Sequence, residues 1–323
     1  RMLALAQAWR DRGGQVTLAS AALPYALAAR LRCEGVDIES LNATAGSMSD
    51  AAETAALASR LGASWVVLDG YHFSVAYQQR LRAEGARLLL MDDLADAPAY
   101  AADAILNQNI YASESMYQGR AGEARLFLGT RYALLRREFT PWRDWERPHR
   151  GSARRVLVTM GGGDPDNQTV KVVQALGGLA RRGMEARVVV GSSNPHLEQV
   201  RQVAGVLGPS VSLLHGVSEM AEHMAWADVA VSGAGTTCWE LLFMGLPSVV
   251  FTLAENQRRI AECLAEQGVA VNLGWYRDVS AEAIAETILG LLDDPARRRG
   301  MSDAGRALVD GRGAERLLNE ALQ

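Results

Sequence analysis

The stretch Ser232-Gly233-Ala234-Gly235-Thr236-Thr237-Cys238-Trp239-Glu240 carries the residue types that hold a phosphorylated ligand. It follows the apolar run from Ala227 to Val231 and precedes Leu241-Leu242-Phe243-Met244, so it reads as a strand, a small-residue turn and the opening of a helix. Gly233 and Gly235 let the backbone come close to a ligand, and Thr236 and Thr237 put hydroxyls beside the unpaired N–H groups and positive end of the helix. Glu240, one turn inside, is spaced to accept hydrogen bonds from a ribose diol. The competing assignment is an ordinary capping box, with Thr237 as N-cap and Glu240 three residues on.

Other clusters also follow apolar runs. Gly161-Gly162-Gly163-Asp164 follows Val156-Leu157-Val158-Thr159-Met160. It is a turn that can approach a phosphate, or a plain Gly-rich turn before a helix. It lacks both the spacing of a dinucleotide fingerprint and the Lys of a P-loop. Glu255-Asn256-Gln257 follows Ser248 to Phe251 and offers two amides, with Asn256 as an N-cap the alternative. Asp69, Tyr71 and His72 follow Trp65 to Leu68. Tyr71 can offer a phenol and His72 an acid or base, although a loop histidine is more often inert. Asp92, Asp93 and Asp96 are hard-oxygen groups without the further spaced ligands of a metal site, and read more simply as loop carboxylates. His149, His196, His215 and His223 are scattered, and no Gly-x-Ser-x-Gly elbow or His-Glu-x-x-His pair occurs.

The elements that must position these groups alternate along the chain. Helices are expected over 2–9, 24–33, 47–61 (with Ser49 as a cap) and 74–84, and strands over 15–19, 36–41, 65–68 and 87–91, with 104–109 continuing the pattern. The segment from Phe139 to Arg154, with Pro141, Pro148, Trp142 and Trp145, reads as a domain linker. Beyond it, strands begin at Val156, Ala186, Val211, Ala227, Ser248 and Val269, separated by helices, with two final helices over 281–292 and 295–308 closing the domain, and 313–322 is expected to pack back on the first domain. The fold class is therefore α/β, with parallel sheets and right-handed crossovers in two Rossmann-like domains, 1–145 and 151–323. Ligands of such sheets bind beyond the carboxyl ends of the strands, where every cluster named above lies. The chain opens on helical residues without a strand before them, so an upstream strand and loop are expected.

Composition bounds the function. With 323 residues, 49% apolar and 22% charged, the chain can build two cores. A net charge of −4 gives no electrostatic reason to expect nucleic acid or an anionic membrane as partner. Cys33, Cys238 and Cys263 form no CxxC pair, which suits free thiols in a reducing cytoplasm. The longest apolar stretch, Leu241 to Ala254, is interrupted by Gly245 and Pro247 and is too short to span a bilayer.

Taken together, several segments resemble the UDP-2,4-diacetamido-2,4,6-trideoxy-β-L-altropyranose hydrolases of pseudaminic acid biosynthesis. They are Arg1 with Leu3-Ala4-Leu5-Ala6, Leu68-Asp69-Gly70-Tyr71, Met91-Asp92-Asp93, 106–112, 129–139, 160–164, Ser192-Ser193-Asn194-Pro195 and Glu255-Asn256-Gln257. The resemblance implies a glycosyltransferase-B fold similar to the peptidoglycan transferase MurG, with an interdomain cleft. It also implies a UDP-sugar as small-molecule substrate, no cofactor and no metal. Thr236, Thr237 and Glu240 would hold diphosphate and ribose with Gly161, Gly162, Gly163, Asn194, Gly235 and Gln257 nearby, while Tyr71 and Asn256 would line the sugar and position a water. The family's catalytic His lies in a Gly-x-Gly-His loop ahead of the position matched by Arg1, so no residue here takes that role. A glycosyltransferase of the same fold and a non-catalytic UDP-sugar-binding protein are the alternatives.

Overall fold

The computed structural model describes residues 1–322, and its contacts divide the chain into two compact units. The first comprises Arg1–Arg137 and the segment from Arg312 onward; the second comprises Glu138–Gly311.

The first unit runs α1 (Met2–Asp11), β1 (Thr17–Ser20), α2 (Tyr25–Cys33), β2 (Asp37–Ser40), α3 (Met48–Leu61), β3 (Trp65–Asp69), α4 (Val75–Ala83), β4 (Arg87–Met91), β5 (Ala104–Asn107) and β6 (Arg125–Leu128). Its strands pair in parallel as two separate sheets, β1-β2 and β3-β4-β5-β6. Alternation along β4 divides the core: Leu88 and Leu90 pack toward Ala51, Ala55, Tyr77 and Leu81, whereas Leu89 and Met91 pack toward Ala4 and Leu5 of α1. Helices cover both faces of the four-stranded sheet, as buried parallel strands require. Ser47 caps α3 by accepting from the Asp50 N–H, in place of the expected Ser49, and Gly62 closes that helix in the left-handed region.

In the second unit follow β7 (Arg155–Thr159), α5 (Gln168–Ala180), β8 (Glu185–Val190), α6 (Leu197–Val206), β9 (Val211–His215), α7 (Met220–Trp226), β10 (Val229–Gly233), α8 (Thr237–Phe243), β11 (Ser248–Thr252), α9 (Arg258–Glu266), β12 (Ala270–Trp275), α10 (Ala281–Leu292) and α11 (Pro295–Leu308). All six strands are parallel, in the order β12-β11-β10-β7-β8-β9. Every residue of β10 and β11 is buried, which explains their unbroken apolar runs. Val156, Val158, Val188, Val231 and Phe251 meet Val172, Leu176, Ile284 and Ile288 of α5 and α10, each such side chain contributing about 1.5–3 kcal/mol on burial.

Two expectations change. As expected of 313–322, α12 (Gly313–Glu320) packs back on the first unit, its Leu317 and Leu318 joining the core with Leu89, Leu106 and Phe127, and the second unit therefore stops at Gly311 instead of running to 323. The segment 139–154 is not a free linker: Phe139 is buried edge-on against Phe243, and Arg147 is buried in the second unit. Prolines and charges marked it as a linker in the sequence, but its aromatic and guanidinium groups find partners only in the folded sheet.

Candidate functional site

The strand order of the second unit runs outward from its centre in both directions, β7-β8-β9 one way and β10-β11-β12 the other. The crevice at such a reversal, beyond the carboxyl ends of the two central strands, is where doubly wound sheets bind ligands. The turns leaving those two strands are 160–164 and 234–236, the Gly-rich segments singled out in the sequence.

After β10, Thr236 is the N-cap of α8, and no side-chain cap bond is made there. Thr237 is therefore not the N-cap that the competing capping-box assignment required, and Glu240 stands in the first turn of the helix, partly exposed. Thr236 is exposed and Thr237 half-buried. The two glycines have different reasons. A Cβ on Gly233 would come within 2.5 Å of the Leu253 side chain, so Gly233 serves packing, whereas a Cβ on Gly235 would only touch the Gln257 amide nitrogen at 3.5 Å. Gln257 is brought over this turn because its Oε1 accepts from the Leu253 N–H at 3.0 Å. Asn256 lies in the 3-10 turn Glu255–Gln257, and the N-cap of α9 is Gln257 and not Asn256.

After β7, Asp164 adopts a left-handed backbone, φ 44°, and turns its buried carboxylate back on the helix that follows. It accepts from the N–H groups of Gln168 and Thr169 and from the Thr169 hydroxyl, at 2.8, 2.8 and 2.6 Å. The start of α5 is thus already occupied by an anion of the chain's own, and Gly161 to Gly163 form the outer turn ahead of it. Asp164→Ala is expected to cost about 2 kcal/mol, the upper range for a lost cap, read as a lower urea midpoint. A Cβ on Gly191, at the exit of β8, would lie 2.3 Å from the Gly162 carbonyl oxygen, so the two loops touch through backbone alone. Asn194 in the second loop is buried, and its Oδ1 accepts from the His196 N–H at 2.7 Å, which gives it a part in shaping the loop.

In the first unit, polar residues converge beyond the ends of β3, β4 and β5. Arg1 donates through Nε and an Nη to Asp69 and through its other Nη to Asp93, at 2.5 Å. The Asp93 carboxylate also accepts from the Tyr71 hydroxyl at 2.9 Å and from Asn109 Nδ2 at 3.1 Å. Its main-chain oxygen accepts from Tyr111 at 2.8 Å and from Asn107 at 3.2 Å. Burial works to raise the Asp93 pKa, but the hydrogen bond and charge of Arg1, then Tyr71 and Asn109, hold it below the usual carboxylate range. For Arg1, burial is outweighed by both carboxylates and the guanidinium pKa rises. Tyr71 is 66% exposed and marks the rim, whereas His72 stacks against Phe73 at 4.2 Å.

Asp92, one residue away, faces the core, accepting from the hydroxyls of Tyr100 and Tyr117 at 2.8 and 3.0 Å and from the N–H groups of Leu94 and Ala95. The oxygens of both aspartates are thus engaged by protein donors, and among the described residues no group of three or more His, Cys, Asp or Glu is arranged to hold a metal ion. His223 Nδ1 accepts from the Arg187 guanidinium at 3.0 Å, and Arg187 also covers the Trp226 ring; burial first, then the Arg187 charge, lowers the His223 pKa. Burial, with the Glu240 charge adding to it, pushes the Cys238 thiol up to about 12, so that cysteine is an inert part of the core. Among the described residues no helix is long and apolar enough to cross a membrane. Sequence reasoning did not find Arg1, Asn109 and Tyr111 as partners of Asp93. Arg1 stands at the start of α1 and Asn109 and Tyr111 in the segment after β5, and only the fold of the unit brings them to Asp93.

The spore coat polysaccharide biosynthesis protein SpsG of Bacillus subtilis is 28% identical to the chain over 233 residues, 72% of this chain and 68% of that protein. The UDP-N-acetylglucosamine–N-acetylmuramyl-(pentapeptide) pyrophosphoryl-undecaprenol N-acetylglucosamine transferase of Geobacter sulfurreducens is 27% identical over 173 residues, 52% of this chain but only 44% of that enzyme. In fold, the chain is similar to the crystal structure of Acinetobacter baumannii MurG, with a TM-score of 0.69 at 15% identity, over 98% of this chain and 94% of that one. The two-unit α/β architecture is that of glycosyltransferase-B proteins. The model of the glycosyltransferase family 28 C-terminal domain matches residues 155–316, half of the chain, and spans all six strands of the second unit with both turns at the strand reversal. The chain belongs to glycosyltransferase family 28.

Proposed function

We propose that this chain acts on a UDP-linked sugar and that its reaction is hydrolysis. Water bonds to the anomeric carbon of a UDP-linked 2,4-diacetamido-2,4,6-trideoxy sugar, and the bond from that carbon to the diphosphate oxygen breaks. UDP leaves with the bonding pair, and the water's proton passes to solvent. The observation that carries the reading is that two Gly-rich turns leave the adjacent strands β7 and β10 at the strand reversal of the second unit, with Thr236 as the N-cap of α8 and Thr237 and Glu240 in its first turn. In this reading the threonine hydroxyls and the first N–H groups of α8 hold the departing diphosphate, where charge develops. Glu240 takes the ribose, and Gly161 to Gly163, Asn194, Gly235 and Gln257 complete the surroundings. Tyr71 and Asn256 line the sugar and hold the water. Hydrolysis in particular rests on the resemblance of segments such as 68–71, 91–93 and 255–257 to the pseudaminic acid enzymes.

Transfer to a sugar or lipid acceptor is the second reading, favoured by the match to a glycosyltransferase family and by the transferase name of the Geobacter relative. UDP release from the diacetamido sugar nucleotide separates the two, assayed with this chain and with a form extended upstream through the Gly-x-Gly-His loop that the resemblance implies. Release without any acceptor is the expected outcome. Release only on adding an acceptor would favour transfer, and saturable UDP binding without release would favour a binding protein. Failure to bind UDP at all would remove all three.

A further inference from the structure

We infer that Asp93 fixes the direction of the Tyr71 hydrogen bond, so that Tyr71 meets a bound ligand only as an acceptor and selects a donor group there. The inference rests on the reading of Tyr71 as a residue lining the sugar. A carboxylate beside the Arg1 guanidinium has no proton to give, so in the 2.9 Å contact between the Tyr71 hydroxyl and Asp93 Oδ2 the phenol must donate. A phenol has a single proton. Once it is committed to Asp93, the oxygen has only lone pairs for any further partner.

The arrangement is held from several sides. Asp93 Oδ1 is bound by Arg1 and Asn109, and its main-chain oxygen by Tyr111 and Asn107, so the carboxylate cannot swing away from Tyr71 without losing bonds to Arg1 at the start of α1 and to the segment after β5. Tyr71 itself is two-thirds exposed, at the carboxyl end of β3, where a ligand of a parallel sheet arrives. The group it selects is a hydroxyl, an amide N–H or a water. In the proposed reaction that group is the attacking water. An O–H of the water pointing at Tyr71 leaves an oxygen lone pair for the sugar, and Tyr71 is excluded as the proton donor to the leaving diphosphate. Asp93 is accordingly a positioning residue that acts through Tyr71.

A double-mutant cycle tests this with UDP release. Tyr71→Phe is expected to lower kcat about 10–100-fold, the scale of a lost positioning contact, with KM changed less than about threefold. Asp93→Asn, whose amide can present either a donor or an acceptor to the phenol, is expected to lower kcat comparably when Tyr71 is present and by less than about twofold when it is combined with Tyr71→Phe. A loss of the same size in both backgrounds would show Asp93 acting on the fold alone and overturn the inference. If Asp93→Asn does not fold, Asp93→Glu takes its place in the cycle, since it keeps the charge but shifts the acceptor. The cycle is built in whichever form turns the sugar nucleotide over, this chain or the one extended through the upstream loop; if neither does, hydrolysis fails as a reading, and the cycle is read on calorimetric affinity instead. Weakening confined to the background that keeps Tyr71 then supports the inference, whereas equal weakening, no weakening or no binding overturns it.

Discussion

A Glu240→Ala variant is expected to bind UDP about 100-fold more weakly than the wild-type chain, the loss of two hydrogen bonds to a charged acceptor at about 1.5 kcal/mol each. Glu240 sits in the first turn of α8 and is partly exposed beside the turn Ala234-Gly235-Thr236, while the residues that follow it, Leu241 to Phe243, are buried and fix the helix. The urea midpoint of the variant is measured alongside, so that a loss of affinity in a folded protein is read at the ligand. Calorimetry with UDP and with 2′,3′-dideoxy-UDP makes the test specific. The variant should lose most of its deficit on the dideoxy nucleotide, because the wild type no longer gains from the diol either. Equal UDP affinity for wild type and variant would remove Glu240 from the site and, with it, the main polar group proposed for the ribose.

The largest stability effect is expected at Arg147. Its guanidinium is buried in the second unit and donates to three main-chain oxygens, Met244 from Nε at 3.0 Å and Ala227 and Met224 from the two Nη atoms at 2.6 and 2.7 Å. Those oxygens lie at the ends of α7 and α8, where helix carbonyls lack partners and the dipole is negative. Burial, the dominant influence, pulls the Arg147 pKa down, and the Asp228 charge opposes it. Asp228 itself is engaged with Arg150 and with the N–H groups of Arg154 and Arg155. Arg147→Met keeps most of the volume but orphans three buried carbonyls, so a loss of about 3–5 kcal/mol is expected. Lysine should recover little of it, because a single ammonium cannot reproduce the planar fork. Urea unfolding followed by circular dichroism measures both variants, and a midpoint within error of wild type would refute the assignment. Because α8 opens the candidate site at its other end, a partial loss of UDP affinity should accompany the instability of Arg147→Met.

The order of elements was legible because their signals are local. Unbroken apolar runs such as Val156 to Met160 and Ser248 to Phe251 are what a strand covered on both faces must look like, and small-residue turns after them mark strand exits. The turn Gly235-Thr236-Thr237 and its helix were found for the same reason. Spacing could not separate a capping box from a ligand-facing turn, since both require a hydroxyl and a carboxylate three residues apart. The backbone begins the helix at Thr237, so Thr236 and not Thr237 is its N-cap. Gly233 likewise looked like a residue cleared for a ligand, but it is cleared for Leu253, which comes from the next strand's exit.

The sequence by itself determined the alternation of strands and helices, the parallel sheets and the turns from which a ligand site would be built, because each depends on residues within a few positions of one another. Tertiary structure alone decided what lies side by side. It put β7 beside β10, although two other strands come between them in the chain, and so located the strand reversal. It buried Arg147 on two helix ends and gathered Arg1, Tyr71, Asn109 and Tyr111 around Asp93. The physical reason is that lateral strand order and helix docking are set by the packing of whole faces, which no local pattern of residue types records.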